Sequence, residues 1–196
     1  ISMAPTVASL FYGSGSNPLM WPLNQTKGVI FPYTPQITVV HSARYGETTL
    51  THSNYKSYFY EGSEVSGIDI NAEFTVQNVA DGQYLMAAIH FMRACTKMFF
   101  GQGEYAGNPP LVCNLTGYGS SIFDKVPVII KSFSVDLKDD VNYIRCNTFG
   151  TNTWVPVIST VSVTVVPVYN KQRLRKFNLA DYASGKITSS NGVGYL

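Results

Sequence analysis

The clearest periodicity in the chain is the alternation Ile68-Asp69-Ile70-Asn71-Ala72-Glu73-Phe74-Thr75-Val76. Every second residue of this stretch is apolar and every residue between is small or polar, which is typical of a β-strand whose two faces meet different surroundings. The stretch therefore predicts a sheet with one dry face, built from the isoleucines, alanine, phenylalanine and valine, and one wet face that carries the carboxylates.

A helix is predicted directly after this strand, at about 79–100. Its apolar residues recur at three- and four-residue spacing and form one stripe: Leu85, Ala88, Ile89, Met92, Thr96 and Phe99. Asn78 or Asp81 can cap the start of the helix, and Gly101 can end it. We expect the stripe to pack on the dry face of 68–76 or on a strand at 155–165.

Further β patterns occur at 37–40, 111–117, 126–137 and 155–168. In 126–137 the alternation places four apolar residues on one face: Ile129, Phe133, Val135 and Leu137. The order of strands, one helix and strands, without an internal repeat, predicts an α+β domain that is mainly antiparallel β.

Domain boundaries follow from the Pro and Gly content at the beginning of the chain and from where the β patterns start. Residues 1–30 contain several prolines and the run Gly13-Ser14-Gly15-Ser16, which predicts an irregular N-terminal arm. Residues 31–182 form the predicted domain, and residues 183–196 form a C-terminal tail.

Composition excludes several function classes. Charged residues are 13% of the 196 residues and aromatic residues are also 13%, whereas soluble domains average about 25% charged residues. Disordered chains are rich in charge and poor in aromatic residues, so disorder is excluded for most of the chain. A net charge of +2 also disfavours a protein that wraps a polyanion. A surface with so few charges predicts that part of it is an interface.

No catalytic or metal-binding pattern is present in the sequence. The three histidines, His41, His52 and His90, lack metal-ligand spacing. The three cysteines, Cys95, Cys113 and Cys146, are widely spaced and are predicted to be buried thiols rather than disulfides. Asp139-Asp140 is predicted to be a turn between strands. We therefore expect no enzyme activity, no metal and no cofactor, and the absence of a long apolar run predicts no membrane span.

Residues 45–64 combine polar and aromatic side chains, and are too polar for a buried core and too aromatic for a surface that contacts only solvent. Tyr55, Tyr58, Phe59 and Tyr60 offer apolar area together with hydroxyl groups, a composition enriched at protein interfaces. The segment predicts a projecting hairpin or loop, and the alternative is a surface loop folded back on its own domain. The basic run 171–176 is predicted to face a partner or solvent, and it is a weak signal for nucleic acid.

Several segments together resemble a known family. They are Phe31-Pro32-Tyr33-Thr34-Pro35-Gln36-Ile37, Leu50–Tyr55, Tyr84–Phe91, Thr96–Gly101, Pro109–Val112, Val168–Asn170 and Phe177–Leu179. In the order and residue composition of these segments, across residues 31–182, the chain resembles the tube-initiator proteins of contractile-tailed bacteriophages. Those proteins lie where the baseplate meets the tail tube.

The resemblance implies a tail-tube-like fold: a two-sheet β-sandwich or barrel with one flanking helix, and six copies joined into a ring. DNA and the tape-measure protein would pass through the central channel without specific binding. Lumen-facing candidates are then Asp69, Asn71, Glu73 and Thr75. Candidates for the contacts between subunits and rings are Trp21, Tyr55, Tyr58, Phe59, Tyr60, Arg173 and Arg175. The other partners implied are baseplate and tail-tube proteins, in a virion assembled in the host cytoplasm.

A different class of function stays open beside this one. The chain could be a β-sandwich binding module that recognises carbohydrate or peptide through the tyrosine-rich segment 45–64. Size distinguishes the two hypotheses, because a binding module is expected to be a monomer or small oligomer and a tube component is expected to form rings.

Overall fold

A computed structural model describes residues 1–3, 18–101, 106–148, 151–188 and 194–196. A six-stranded antiparallel sheet forms the body of the domain, in the spatial order β1-β4-β5-β8-β3-β2. Its strands are β1 (Ser2–Met3), β2 (Gln36–Thr48), β3 (Ser57–Thr75), β4 (Cys113–Gly117), β5 (Phe123–Leu137) and β8 (Ile158–Pro167). Strands β6 (Tyr143–Thr148) and β7 (Thr151–Pro156) form a separate hairpin. The predicted α+β class, mainly antiparallel β, is confirmed, and the described strands do not close into a barrel.

The principal helix, α1, spans Val79–Cys95. It begins where the sequence predicts, because Asn78 Oδ1 accepts a hydrogen bond from the Asp81 N–H at 2.9 Å and Asp81 Oδ2 accepts one from the Gln77 N–H at 3.1 Å. This reciprocal arrangement satisfies backbone donors of the first turn. The helix ends at Cys95, before the predicted end near residue 100. The Phe99 N–H instead donates to the Asn108 carbonyl, which draws the chain into a loop.

Three shorter helical segments accompany α1. A 3₁₀ helix spans Pro18–Leu23 and packs on α1. Helices α2 (Lys171–Leu174) and α3 (Leu179–Ala183) follow β8 and were not predicted from the sequence. The 3₁₀ helix contributes Leu23 to the core, so the part of 1–30 closest to the domain packs on the chain's own helix. Residues 4–17 of the predicted arm lie outside the described residues.

The dry face of the sheet is the one that the alternation predicts. Its β3 residues are all buried: Ile68, Ile70, Ala72, Phe74 and Val76. The adjacent β8 contributes Val161, Val163 and Val165, and the predicted stripe of α1 supplies Leu85, Ala88, Ile89 and Met92 to the same core cluster. Phe99 is partly buried against that cluster. The expected packing of the helix on the sheet is therefore observed.

One face assignment in β5 is corrected by a β-bulge. The pairing of β5 with β8 shifts register between Ile130 and Ser132. As a result Ile130 is buried in the core, while Ile129 pairs with Val166 on the opposite face from Phe133. The sequence predicted Ile129 and Phe133 on one face because a simple alternation contains no extra residue.

The sheet is curved, so that the β4–β5 turn near one edge comes close to the segment before β2 at the other edge. The Tyr118 hydroxyl donates to the Pro35 carbonyl at 2.9 Å, which joins the turn between β4 and β5 to the segment before β2. The two segments border an apolar groove of about 440 Å³ whose lining includes Phe31, Ile37 and Phe123.

The seam between α1 and the sheet gives a first prediction. Ile89→Asp should lower the free energy of unfolding by about 3 kcal/mol or more, because it places an unpaired carboxylate among buried apolar side chains. Val79→Asp is the matched control, since Val79 is 44% exposed in the first helical turn, where an acidic residue is favourable. Chemical denaturation measures both variants, and equal stabilities would contradict this packing.

A close approach between α1 and β6 gives a second prediction. A Cβ atom added to Gly82 would lie 2.3 Å from the Cys146 Sγ. Gly82→Ala should therefore destabilise the fold by about 1–3 kcal/mol through overpacking, although alanine favours a helix by about 1 kcal/mol. Gly62→Ala is the control, because no atom lies within 4 Å of the added carbon. A Gly82→Ala variant with unchanged thermal stability would show that the two elements are not packed this closely.

Candidate interaction surfaces

The wet face of the sheet carries the predicted lumen residues together. Asp69, Asn71 and Glu73 are exposed and Thr75 is partly exposed, all on the same face of β3. The pairing of β3 with β8 and of β8 with β5 extends this face into polar rows: Asp69-Thr164-Ser132, Asn71-Ser162-Ser134 and Glu73-Thr160-Asp136. The Thr164 hydroxyl donates to Asp69 Oδ1 at 2.7 Å. The neighbouring strands could not be placed from the sequence because their register was unknown.

These rows consist of hydroxyl, amide and carboxylate side chains. No lysine or arginine lies in them, and Lys131 stands beside them at the β5 bulge. Carboxylates repel phosphate groups, and hydroxyls offer weak, exchangeable hydrogen bonds. The face is therefore suited to contact with water or with a passing polymer, and unsuited to holding a polyanion.

Strands β2 and β3 continue beyond the body of the sheet as a two-stranded arm. Pairing between β3 and β8 stops at Ile68–Val165, whereas β2 and β3 stay paired out to Thr48–Ser57. We call residues 41–65 the arm, which is a different segment from the predicted N-terminal arm at 1–30. At about 3.4 Å per residue its paired part is about 25–30 Å long. The structure thus places the predicted segment 45–64 in a projecting hairpin, not in a loop folded back on the domain.

The arm presents tyrosines on one face. Tyr45 and Tyr60 are directly paired, with ring centroids 5.9 Å apart in an edge-to-face arrangement. Tyr58 lies two residues from Tyr60 and therefore on the same face. The three side chains are between 58% and 66% exposed, and Tyr55 in the connecting turn is 85% exposed.

The opposite face of the arm carries Phe59. Its ring lies over Gly46, where an added Cβ would be 2.3 Å from the ring. Two ion pairs join the strands, Lys56–Glu47 at 2.9 Å and Arg44–Glu61 at 3.5 Å. Both are exposed and contribute little to stability, so the arm exposes aromatic area that nothing in the described chain covers.

Trp21, Arg173 and Arg175 lie on other elements. Trp21 is 51% exposed on the 3₁₀ helix that packs on α1. Arg173 lies in α2, whose first turn is capped by Asn170 Oδ1 accepting from the Arg173 N–H at 2.8 Å, and Arg175 follows the helix. The predicted interface residues are therefore distributed over three elements, and the arm brings together only Tyr55, Tyr58, Phe59 and Tyr60.

An aromatic cluster that the sequence did not reveal anchors the segment containing these arginines. Tyr195 is buried, its ring centroid lies 5.0 Å from that of Tyr169 and 5.4 Å from that of Phe177, and its hydroxyl donates to the Arg173 carbonyl. The Tyr169 hydroxyl donates to the Gly194 carbonyl at 3.1 Å, and burial raises the pKa of Tyr169 to about 12. Isolated aromatic residues near a chain end carry no periodic signal.

The titratable residues form no catalytic constellation in the described part of the chain. No cluster of three His, Cys, Asp or Glu side chains that could hold a metal is found there. His41 and His52 are exposed on the arm, and His90 is partly exposed on α1, where desolvation and then Arg93 lower its pKa. Cys95 and Cys113 are buried with their sulfurs 3.7 Å apart, and neither forms a disulfide.

No protein-family model matches the chain, and the search of curated proteins also gives no match. Among the described residues, no helix has both the length and the apolar character needed to cross a membrane.

Proposed function

We propose that this protein is a structural component of a contractile phage tail, forming a ring at the junction of baseplate and tail tube and initiating tube assembly. The observation that carries the proposal is the sheet itself, which combines a mainly polar open face with a long edge strand, β2, that is paired on one side only. The role at the junction, the six-fold symmetry and the virion location come from the family resemblance.

The edges of the sheet favour assembly. Strand β2 is 13 residues long and lies at the edge, with β3 as its partner on one side. At the other edge, β1 covers β4 only at Asn114 and Cys113. An exposed edge of this length is a template for pairing with another chain. Because β1 is itself bridged to Gly28 of the same chain, the open part of this edge is the rest of β4. Closing β2 of one copy onto that part of β4 in the next would pair both edges and build a continuous wall.

The polar rows would then line the channel. Asp69, Glu73 and Asp136 would repel the phosphates of transiting DNA, while the intervening hydroxyl groups keep the surface hydrated. The tape-measure protein and DNA would slide past without specific binding, which a conduit requires. No cofactor, metal or catalytic step is needed for this role.

The arm would contact the next ring. Its tyrosine face carries large, rigid and amphipathic side chains of the type enriched in interface cores. Because the arm continues strand β3 after its pairing with β8 stops, it projects beyond the end of the sheet. It would therefore meet the adjacent ring, which would be a second ring of this chain, a ring of another baseplate protein or the first ring of the tail tube.

The binding-module alternative rests on the same arm. Exposed tyrosine faces also bind sugars and peptides, and Tyr55, Tyr58 and Tyr60 are available in a single copy. This alternative does not use the open polar face or the unpaired edge, and it predicts a protein that is monomeric and binds a ligand through the arm.

Oligomeric state tests the ring. At high protein concentration the purified chain should form particles of about six times its 21.6 kDa mass, with a central hole visible by negative-stain electron microscopy. Mass photometry gives the stoichiometry. A chain that stays monomeric at every concentration would contradict the ring and favour the binding module.

Shortening the arm tests its role. Replacing residues 44–62 by Asn-Gly would join the paired positions Ala43 and Ser63 through a tight turn of a type common in hairpins. Thermal stability should change little because the removed residues are exposed, and rings should keep their diameter. Stacking of rings should be lost, as counted in micrographs.

The double substitution Tyr58→Ser and Tyr60→Ser is the matched test of the tyrosine face, because it keeps the length of the arm. It should weaken stacking while leaving the rings intact. Normal stacking by the shortened variant would remove the arm from the ring-to-ring contact.

A further inference from the structure

The two ends of the six-stranded sheet carry opposite charges. The strand register defines these ends: Ile68 of β3, Pro167 of β8 and Val128 of β5 lie at the end from which the arm projects. Leu137 of β5 and Thr75 of β3 lie at the other end. The two ends are about 30 Å apart at about 3.4 Å per residue.

The arm end carries a cationic segment, which begins shortly after β8 ends. Its members are all exposed: Lys171, Arg173, Arg175 and Lys176. The ion pairs within the described residues involve other side chains. The aromatic cluster around Tyr195 fixes the backbone of this segment to the domain through the Arg173 carbonyl. Four cations are thus held at one end of the sheet without a carboxylate partner among the described residues.

The far end carries an acidic turn. Asp136 lies near the end of β5, and Asp139 and Asp140 lie in the turn that follows, all exposed. Lys138 lies between them and is partly buried, and its carbonyl accepts a hydrogen bond from the Tyr143 hydroxyl at 2.8 Å. That bond fixes the turn. None of the three aspartates, Asp136, Asp139 and Asp140, forms an ion pair with a described residue.

We propose that the cationic segment 171–176 of one copy binds the acidic turn 136–140 of a second copy stacked on it head to tail. This contact rests on the proposed function, since it specifies how one ring meets the next. Each copy presents both partners, on opposite ends of the same sheet, so that one orientation brings unlike charges together and the reverse orientation brings like charges together. The segment therefore determines the polarity of stacking as well as its strength.

The surroundings of the cations favour a protein partner over single-stranded nucleic acid. Nucleic-acid grooves combine cations with free aromatic rings on which bases stack. Beside this segment the rings of Phe177, Tyr182 and Tyr195 pack on one another, with Phe177 in contact with both of the others. The cations of 171–176 therefore form no ion pair with described residues, whereas the neighbouring aromatic rings already pack on one another.

A charge exchange between the two ends tests the contact. One variant reverses the cationic segment: Lys171→Glu, Arg173→Glu, Arg175→Glu and Lys176→Glu. A second variant reverses the turn by Asp139→Lys and Asp140→Lys. Each variant alone presents like charges at both ends, so each should form rings that do not stack. An equal mixture of the two should stack again, because every junction then joins unlike charges.

A surface control separates this effect from net charge. Arg93→Glu with Lys97→Glu changes the charge of two exposed positions in the last turn of α1 and just after it, and stacking should be unchanged. Raising the ionic strength to about 1 M, where the screening length is about 3 Å, should dissociate wild-type stacks into rings. Stack length is measured in micrographs and ring integrity by mass photometry.

The other outcomes identify what is wrong. Wild-type protein without rings would contradict the proposed function and this contact with it. Rings that fail to stack in the wild type, or variants that stack as well as the wild type, would overturn the contact and leave the ring standing. A cationic-segment variant that stacks normally but loses affinity for single-stranded DNA in a gel-shift assay would assign the segment to nucleic acid instead.

Discussion

The structure depends on one constraint, which is that the apolar core of the described residues packs on one face of the six-stranded sheet. Helix α1 and the 3₁₀ helix supply side chains to that core. Full burial of a side chain such as Ile68 or Ile70 contributes about 1.5–3 kcal/mol, so the strict alternation of β3 is fixed by the energy of that core. Every residue between the buried ones is then directed to the open face, which must be polar.

An open edge strand would be a liability in a monomer, whereas a solvated polar face is common in antiparallel sheets. Natural edge strands are commonly short or carry inward-pointing charges and bulges that discourage pairing. The half of β2 that borders the domain, Gln36–Val40, has no charged residue. Such an edge is costly for a solitary domain and useful in an assembly, and it is the reason why we propose assembly rather than a free binding module.

The sequence was sufficient where the structure is periodic. It located the part of β3 at 68–75, the start of α1 near residue 79 and a projecting aromatic segment at 45–64, because each has a local physical cause. It failed where tertiary contacts decide. Phe99 follows the helical spacing but lies in the loop that pairs with Asn108, the β5 bulge moves Ile129 to the other face, and Tyr195 joins a cluster that only the folded chain creates.

Two irregularities in the pairing of β2 with β3 affect the direction of the arm relative to the rest of the sheet. Ser66 is the extra residue between the pairs Val40–Gly67 and His41–Val65, and Glu61 is the extra residue closer to the tip. Bulges increase the local twist and bend the bulged strand. Both extra residues lie on β3, so both act on the strand that the arm shares with the body of the sheet. In the proposed assembly, the geometry of the contact with the next ring would therefore depend on where these two residues are inserted.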